Sequence, residues 1–229
     1  MKAFKYFHSK FKDSIESGHF FVNTFESIRD QFEDGAISDS TEAIVENLSG
    51  DIKISDARLP EYQRALADLS ELGAFHIQGA ATNISISNCT FTTRLQNAHM
   101  YCVSTERNDA YWRDLPEKQG GPYGSCVEIS DFGEFSERVR RSLAEVYGCD
   151  FGIALENCVF ESNKGVIADG STANPSYFRK PHGEGFEEQH EMRAVFISHR
   201  PLTLEPKLLN IEVADLITLH TLGGSAPKS

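Results

Sequence analysis

Phe178-Arg179-Lys180-Pro181-His182-Gly183-Glu184-Gly185-Phe186-Glu187-Glu188-Gln189-His190-Glu191-Met192-Arg193-Ala194-Val195-Phe196-Ile197 is the stretch on which the reading of the fold turns. Two glycines and a proline loosen its first half into a loop. Alternation then takes over and predicts a strand, with Met192, Ala194 and Phe196 on one face and Glu191, Arg193 and Val195 on the other. Four carboxylates and two histidines crowd the point where loop becomes strand. Charge at the mouth of an apolar strand costs desolvation, so a use for it is expected.

Working outward, 229 residues suit one domain, or one domain with an insertion. A 40% hydrophobic content with 16 Phe is enough to bury a core. The charge is 34 acidic against 22 basic residues, net -12, which argues against an extended nucleic-acid face. A small nucleotide held by a few local contacts stays compatible. The five cysteines, Cys89, Cys102, Cys126, Cys149 and Cys158, contain no C-x-x-C pair and are odd in number. Reduced and mostly buried thiols are expected from this, and no metal knuckle. Met1 to Phe11 has no apolar signal region, and no apolar run reaches spanning length, so a cytoplasmic protein is expected.

Turn residues and periodicity divide the rest. Ser9 should cap a short helix through Ile15, stopped by Gly18 and followed by a strand at Phe20 to Thr24. Phe25 to Glu33 resembles a second short helix. A polar surface excursion is expected near residues 35–57, then a helix from Leu59 to Leu72 and two strands around Gly79-Ala80. Ala98 to Ser104 reads as a central strand, Asn108 to Tyr123 as loop or short helix, and Ser125 to Ile129 as a strand. The clearest helix is Phe132 to Tyr147, with Phe135, Val139, Leu143 and Val146 on its apolar side and a basic stripe read as solvated. Strands are expected at Phe151 to Leu155, Gly165 to Ala168, Met192 to Ile197 and Leu208 to Val213. The expected class is α+β, with helices packed on mainly antiparallel sheet, as one domain over 1–222 and a disordered tail over 223–229.

Two sets of motifs carry resemblances. Lys5-Tyr6-Phe7-His8, followed by Phe11, Ile15, Gly18 and Phe20-Phe21-Val22-Asn23, resembles the opening of ADP-ribosyltransferase-like domains. Tyr101-Cys102-Val103-Ser104-Thr105-Glu106 is similar to the Ser-Thr-Ser strand of one branch of that superfamily, with Glu at its last place. Gln189-His190-Glu191 is similar to the Gln/Glu-x-Glu element that follows the recognition loop in the same branch. The opening looks like the His branch and the later motifs like the Arg branch. A second pattern covers most of the chain: Gly18, Phe25, Arg29, Asp39-x-x-Glu42, Cys102-x-Ser104, Gly124-x-Cys126-Val127, Phe178-x-Lys180 and Glu188-x-x-Glu191-x-Arg193. It resembles a widespread uncharacterised bacterial and phage family, which implies a source and a fold more than an activity.

The first resemblance implies an enzyme that transfers ADP-ribose from NAD to a macromolecule, or hydrolyses NAD, in a setting such as phage-host conflict. Glu191 would be the catalytic carboxylate, Gln189 would orient the acceptor, and His8 would position the substrate. His8, Phe21, Ser104 and Arg29 would contact NAD, Phe21 by stacking on nicotinamide. No metal is implied. Breaking the nicotinamide–ribose bond passes through an oxocarbenium-like state that a carboxylate stabilises. Plainer roles compete. Glu191 and Arg193 fit a surface pair on an edge strand, His8 fits a helix start, Phe20 and Phe21 fit a core, and Ser104-Thr105 fits a turn cap. His182, Glu184, Glu187, Glu188 and His190 lack any strict metal-ligand spacing. A metal-dependent nuclease using Asp39, Glu42, Glu128 and Glu191, and a non-catalytic partner-binding protein, are the alternatives.

Overall fold

The computed structural model describes residues 1–30, 44–48, 52–58, 62–63, 66–67, 70, 82–115, 121–161, 164–166, 176–180 and 187–222. In chain order its elements are β1 (Ala3–Phe7), α1 (Lys12–Glu16), β2 (His19–Thr24), α2 (Phe25–Asp30), β3 (Ile44–Leu48), β4 (Ile52–Asp56), β5 (Thr82–Ile86) and β6 (Thr90–Arg94). Then come β7 (His99–Ser104), α3 (Asp109–Asp114), β8 (Ser125–Ile129), α4 (Phe132–Tyr147), β9 (Phe151–Asn157), β10 (Val159–Phe160) and β11 (Lys164–Val166). The last are β12 (Arg179–Lys180), β13 (Glu191–Ser198), β14 (Lys207–Asn210) and β15 (Ile217–Thr221). The class is α+β, with mostly antiparallel sheet and few helices.

The chain forms two compact units: residues 1–42, 96–159 and 183–229 make the first, and residues 43–95 and 160–182 the second. The first unit holds an eight-stranded sheet. β7 lies at its centre, with β13 along one whole edge and β2 and β1 sharing the other. β9 flanks β13, β8 and β15 continue beyond β1, and β14 pairs with β2, all antiparallel. In the second unit β3 pairs antiparallel with β6 and parallel with β11, and β4 pairs antiparallel with β5.

α4 anchors the core of the first unit. Asp131 caps it by accepting from the Gly133 and Glu134 N–H groups at 3.0 and 3.4 Å, and Gly148 ends it in the left-handed region at φ 63°. Phe132, Phe135, Val139 and Leu143 are buried against Phe20, Tyr101, Val103, Ala194 and Phe196. Each such side chain contributes roughly 1.5–3 kcal/mol of burial. Phe132 takes the place expected of Val146, which is exposed. The basic stripe is matched by acids: Arg138 meets Glu134 at 2.9 Å and Asp215 at 2.7 Å, and Arg140 meets Glu137 at 2.7 Å. Such a face offers phosphate little unpaired charge.

Several local expectations change. Ser9 caps nothing: its hydroxyl lies 3.3 Å from that of Ser125, and the opening turn is 3-10 (Ser9–Phe11) before α1. Gly18 does stop α1, at φ +81°, and a Cβ there would sit 2.6 Å from the Ile211 carbonyl oxygen. The stretch expected as a polar excursion contains β3 and β4. Part of the expected helix over Leu59–Leu72 is seen, residues 62–63, 66–67 and 70 being helical. β5 and β6 flank Ser87–Cys89, while Gly79-Ala80, most of the Ser171–Glu187 loop and the 223–229 tail lie outside the described residues. All five cysteines are free thiols; Cys126 and Cys158 are buried and the other three half-buried, fewer than the apolar neighbours implied.

His99 on β7 gives a pH prediction. It is fully buried, with Nε2 3.1 Å from the Tyr147 hydroxyl and its ring against Phe151. Burial pushes it down from 6.5 to about 4, helped slightly by the Lys207 charge. The unfolded chain therefore takes up this proton first as pH falls. The stabilisation is complete above about pH 6.5 and is lost progressively down to about pH 4. At about 1.4 kcal/mol per pH unit the loss is of order 3 kcal/mol. Urea unfolding at stepped pH should show this slope in the wild type and a weaker one in His99→Phe. Identical slopes would remove His99 as the cause.

Candidate functional site

The side chains of β1, β7, β8 and β13 alternate in register, which sets two faces. Ala3, Phe7, Tyr101, Val103, Met192, Ala194 and Phe196 join the main core. The opposite face carries a row in which Phe4 stands beside Ser104, Ser104 beside Glu191, and Phe4 beside Glu128. In the adjacent row Arg193 stands beside Cys102, and Tyr6 beside Cys126. Sequence alternation thus placed Glu191 and Arg193 on the correct face.

That face is not solvated at β13. The strand lies between β7 and β9, so the edge-strand surface pair is corrected to a buried one. Arg193 is 0% exposed and Glu191 7%, with Arg193 Nε donating to Glu191 Oε1 at 2.6 Å. The guanidinium also lies 5.8 Å from the centre of the Phe25 ring, at the start of α2. The Cys158 thiol approaches Glu191 Oε1 at 3.6 Å. The carboxylate is therefore held in one orientation from two sides.

The turn into β13 is fixed as well. Glu187–Gln189 form a 3-10 turn, and His190 adopts a left-handed conformation at φ 44°. His is among the non-glycine residues that enter this region, at a cost in strain. Its carbonyl accepts from both the Thr105 N–H at 2.9 Å and the Thr105 hydroxyl at 3.1 Å. Ser104 Oγ donates to the Glu106 carbonyl at 2.7 Å and accepts from its N–H at 3.3 Å, so Ser104 does cap the next turn. These bonds lock the β7 and β13 ends together and place Gln189 and Glu191 side by side.

Ser104, Gln189 and Glu191 line one small hollow of about 80 Å³ with Phe4, Tyr6, Trp112 and Tyr123. The aromatic wall is packed ring on ring. Tyr6 stacks on Trp112 with centroids 5.0 Å apart and planes 14° from parallel, and Tyr123 meets Trp112 edge-on at 5.5 Å. Tyr6 donates its hydroxyl to Asp109 at 3.1 Å and accepts from the Asn108 N–H at 2.8 Å. Burial, above all, pushes the Tyr6 phenol up, and burial pushes Tyr123 up to about 12. Both rings stay neutral. Arg107, by its hydrogen bond, holds Asp109 below the usual carboxylate range. The Trp112 indole Nε1–H is buried and finds no hydrogen-bond partner among the described residues.

The other expected residues are placed as follows. His8 precedes the opening turn and stacks on Tyr123 at 5.0 Å, behind the wall of the hollow. Phe21 lines a different, apolar cavity and is half exposed, so it is not the core residue that β-strand context suggested. Arg29 is half-buried on α2 and does not line the hollow. Glu128 pairs with Lys2 at 2.7 Å and approaches His220 at 3.5 Å. Asp39, Glu42, His182 and Glu184 lie outside the described residues. Among the described residues, no group of three or more His, Cys, Asp and Glu side chains is placed to hold a metal ion.

The aromatic wall is what sequence reasoning missed. Asn108 to Tyr123 read as a loop or short helix, and Asn108 caps α3 by accepting from the Tyr111 N–H at 3.1 Å. The available signal was the chain's sole tryptophan between two tyrosines in that segment. Among the described residues, no helix is long and apolar enough to cross a membrane. No protein-family model, curated protein or solved structure matches this chain.

Proposed function

We propose that this chain is an ADP-ribosyltransferase-like enzyme that cleaves the nicotinamide–ribose bond of NAD, passing ADP-ribose to a macromolecular acceptor or to water. One observation carries the reading: Ser104, Gln189 and Glu191, singled out by motif, meet in one hollow beside a stacked aromatic wall. The nicotinamide of NAD is a flat cation. Aromatic faces attract such a ring by stacking and by their quadrupole. Tyr6, Trp112 and Tyr123 suit this task better than Phe21, which lies elsewhere. The Trp112 N–H, without a partner among the described residues, is a donor for the carboxamide oxygen. At about 80 Å³ the hollow is small beside the roughly 300–1,000 Å³ of a whole-ligand pocket, so the reacting end of NAD alone would enter it.

In this reading the C1′–N bond breaks and its electron pair leaves with neutral nicotinamide. The positive charge left on the ribose faces Glu191, whose orientation Arg193 fixes. Gln189 orients the acceptor, which attacks C1′ and passes its proton to solvent water. His8 acts from behind, holding the Tyr123 ring.

Trp112 provides the test, because its fluorescence is that of the only tryptophan. NAD should quench it saturably, while Mg²⁺ alone should not. Nicotinamide release, with cell lysate as acceptor source, should fall about tenfold or more in Trp112→Leu, the loss of one stacking contact worth roughly 1–2 kcal/mol. Quenching by Mg²⁺ with no response to NAD would turn the reading to the nuclease. No response to either would leave the binding protein.

A further inference from the structure

We infer that the first unit carries a second ligand site, an apolar cavity that binds a medium-chain fatty acid with the carboxylate against Lys5. The cavity measures about 510 Å³, within the range of small-molecule sites, and lies on the face of β1 opposite the aromatic wall. Phe7, Ile15 and Phe20, part of the main core, form its inner lining. Its rim is apolar too: Phe11, Phe21 and Leu208 are 48%, 53% and 60% exposed. Phe21 and Leu208 stand directly opposite each other on β2 and β14. Three large apolar side chains left open around one cavity form a patch whose burial by a ligand would be favourable.

The charge of the lining selects the class of ligand. The chain carries a net charge of -12, yet among the described residues no Asp or Glu lines this cavity, and its ionisable lining groups apart from the Tyr101 phenol are Lys5 and His19. Lys5 Nζ donates to the Cys102 carbonyl at 2.9 Å and lies 5.1 Å from the centre of the Tyr101 ring. An ammonium has three donors, so this bond leaves two for an anion. Beyond Lys5, His19, Ser14 and the Tyr101 hydroxyl the described residues of the lining include no polar side chain to satisfy polar groups along the body of a ligand. A hydrocarbon with one anionic end matches both features. A cation of the same length would meet Lys5 with like charge.

Calorimetric titration with decanoate, kept below its aggregation concentration, tests the site. The wild type should bind decanoate saturably and decyltrimethylammonium at least tenfold more weakly. Phe21→Asp sets a carboxylate on an exposed rim position, leaves the core untouched and should weaken decanoate about tenfold or more. Lys5→Met should weaken decanoate similarly and leave decanol binding unchanged; melting curves confirm that each variant is folded. No decanoate binding by the wild type overturns the inference. So does equal binding of the cationic amphiphile, or wild-type affinity in Phe21→Asp. None of these outcomes depends on Glu191, so Glu191→Gln should bind decanoate as the wild type does, whatever becomes of the NAD reading.

Discussion

Arg193→Met is expected to destabilise the fold by about 3–5 kcal/mol, because it breaks a buried ion pair from one side. Arg193 is fully buried, and Met removes both its 2.6 Å bond to Glu191 and its approach to the Phe25 ring. Methionine refills much of the volume, so the cost is chiefly electrostatic: the Glu191 carboxylate is left in the interior without its guanidinium. Combining Arg193→Met with Glu191→Gln removes the carboxylate charge as well and should recover part of the loss. Urea unfolding of the wild type, both single variants and the double variant gives the coupling energy directly. A loss below about 1 kcal/mol in Arg193→Met, with additive behaviour in the double variant, would mean that the pair has little role in stability.

Glu191→Gln is expected to lower nicotinamide release by on the order of 2–4 kcal/mol in transition-state free energy, roughly 30- to 1,000-fold. Gln keeps the size and a carbonyl acceptor for the Arg193 N–H, but removes the negative charge that would face the ribose. From sequence alone the melting temperature should barely move, since a catalytic charge seldom helps folding. The buried pair changes that expectation: Glu191→Gln leaves the Arg193 charge less compensated and should lower stability measurably. The rate must therefore be measured well below the variant's melting temperature and expressed per folded molecule. Equal release by wild type and folded variant would remove Glu191 from catalysis. Loss of release that follows loss of fold alone would do the same.

The legible parts of this chain are those where local chemistry is sufficient. α4 ends where its caps require, because Asp131 supplies acceptors to free N–H groups and Gly148 enters the left-handed region without strain. β8 spans Ser125–Ile129 as expected, and β7 and β13 differ from expectation by about a residue at an end. β15 was not anticipated, although Ile217 and Leu219 alternate with polar residues, because its strand character comes from pairing with β8, 88 residues away at the Ile217–Ile129 match. β3 and β4 escaped for the same reason: set among polar neighbours, these short segments become strands through partners far along the chain.

The candidate site divides along the same line. The sequence by itself determined that Glu191 and Arg193 share a strand face, since alternation is a property of the backbone. It also determined that the helices stop at Gly18 and Gly148. Only the tertiary structure decided that this face is buried, because burial depends on β7 and β9 flanking β13. Only it decided that Tyr6, Trp112 and Tyr123, drawn from β1, α3 and the approach to β8, form one wall beside Ser104, while Phe21 opens into a separate cavity. Sheet register across distant strands sets those neighbours, and register is fixed by packing of the whole unit rather than by the residues adjacent in sequence.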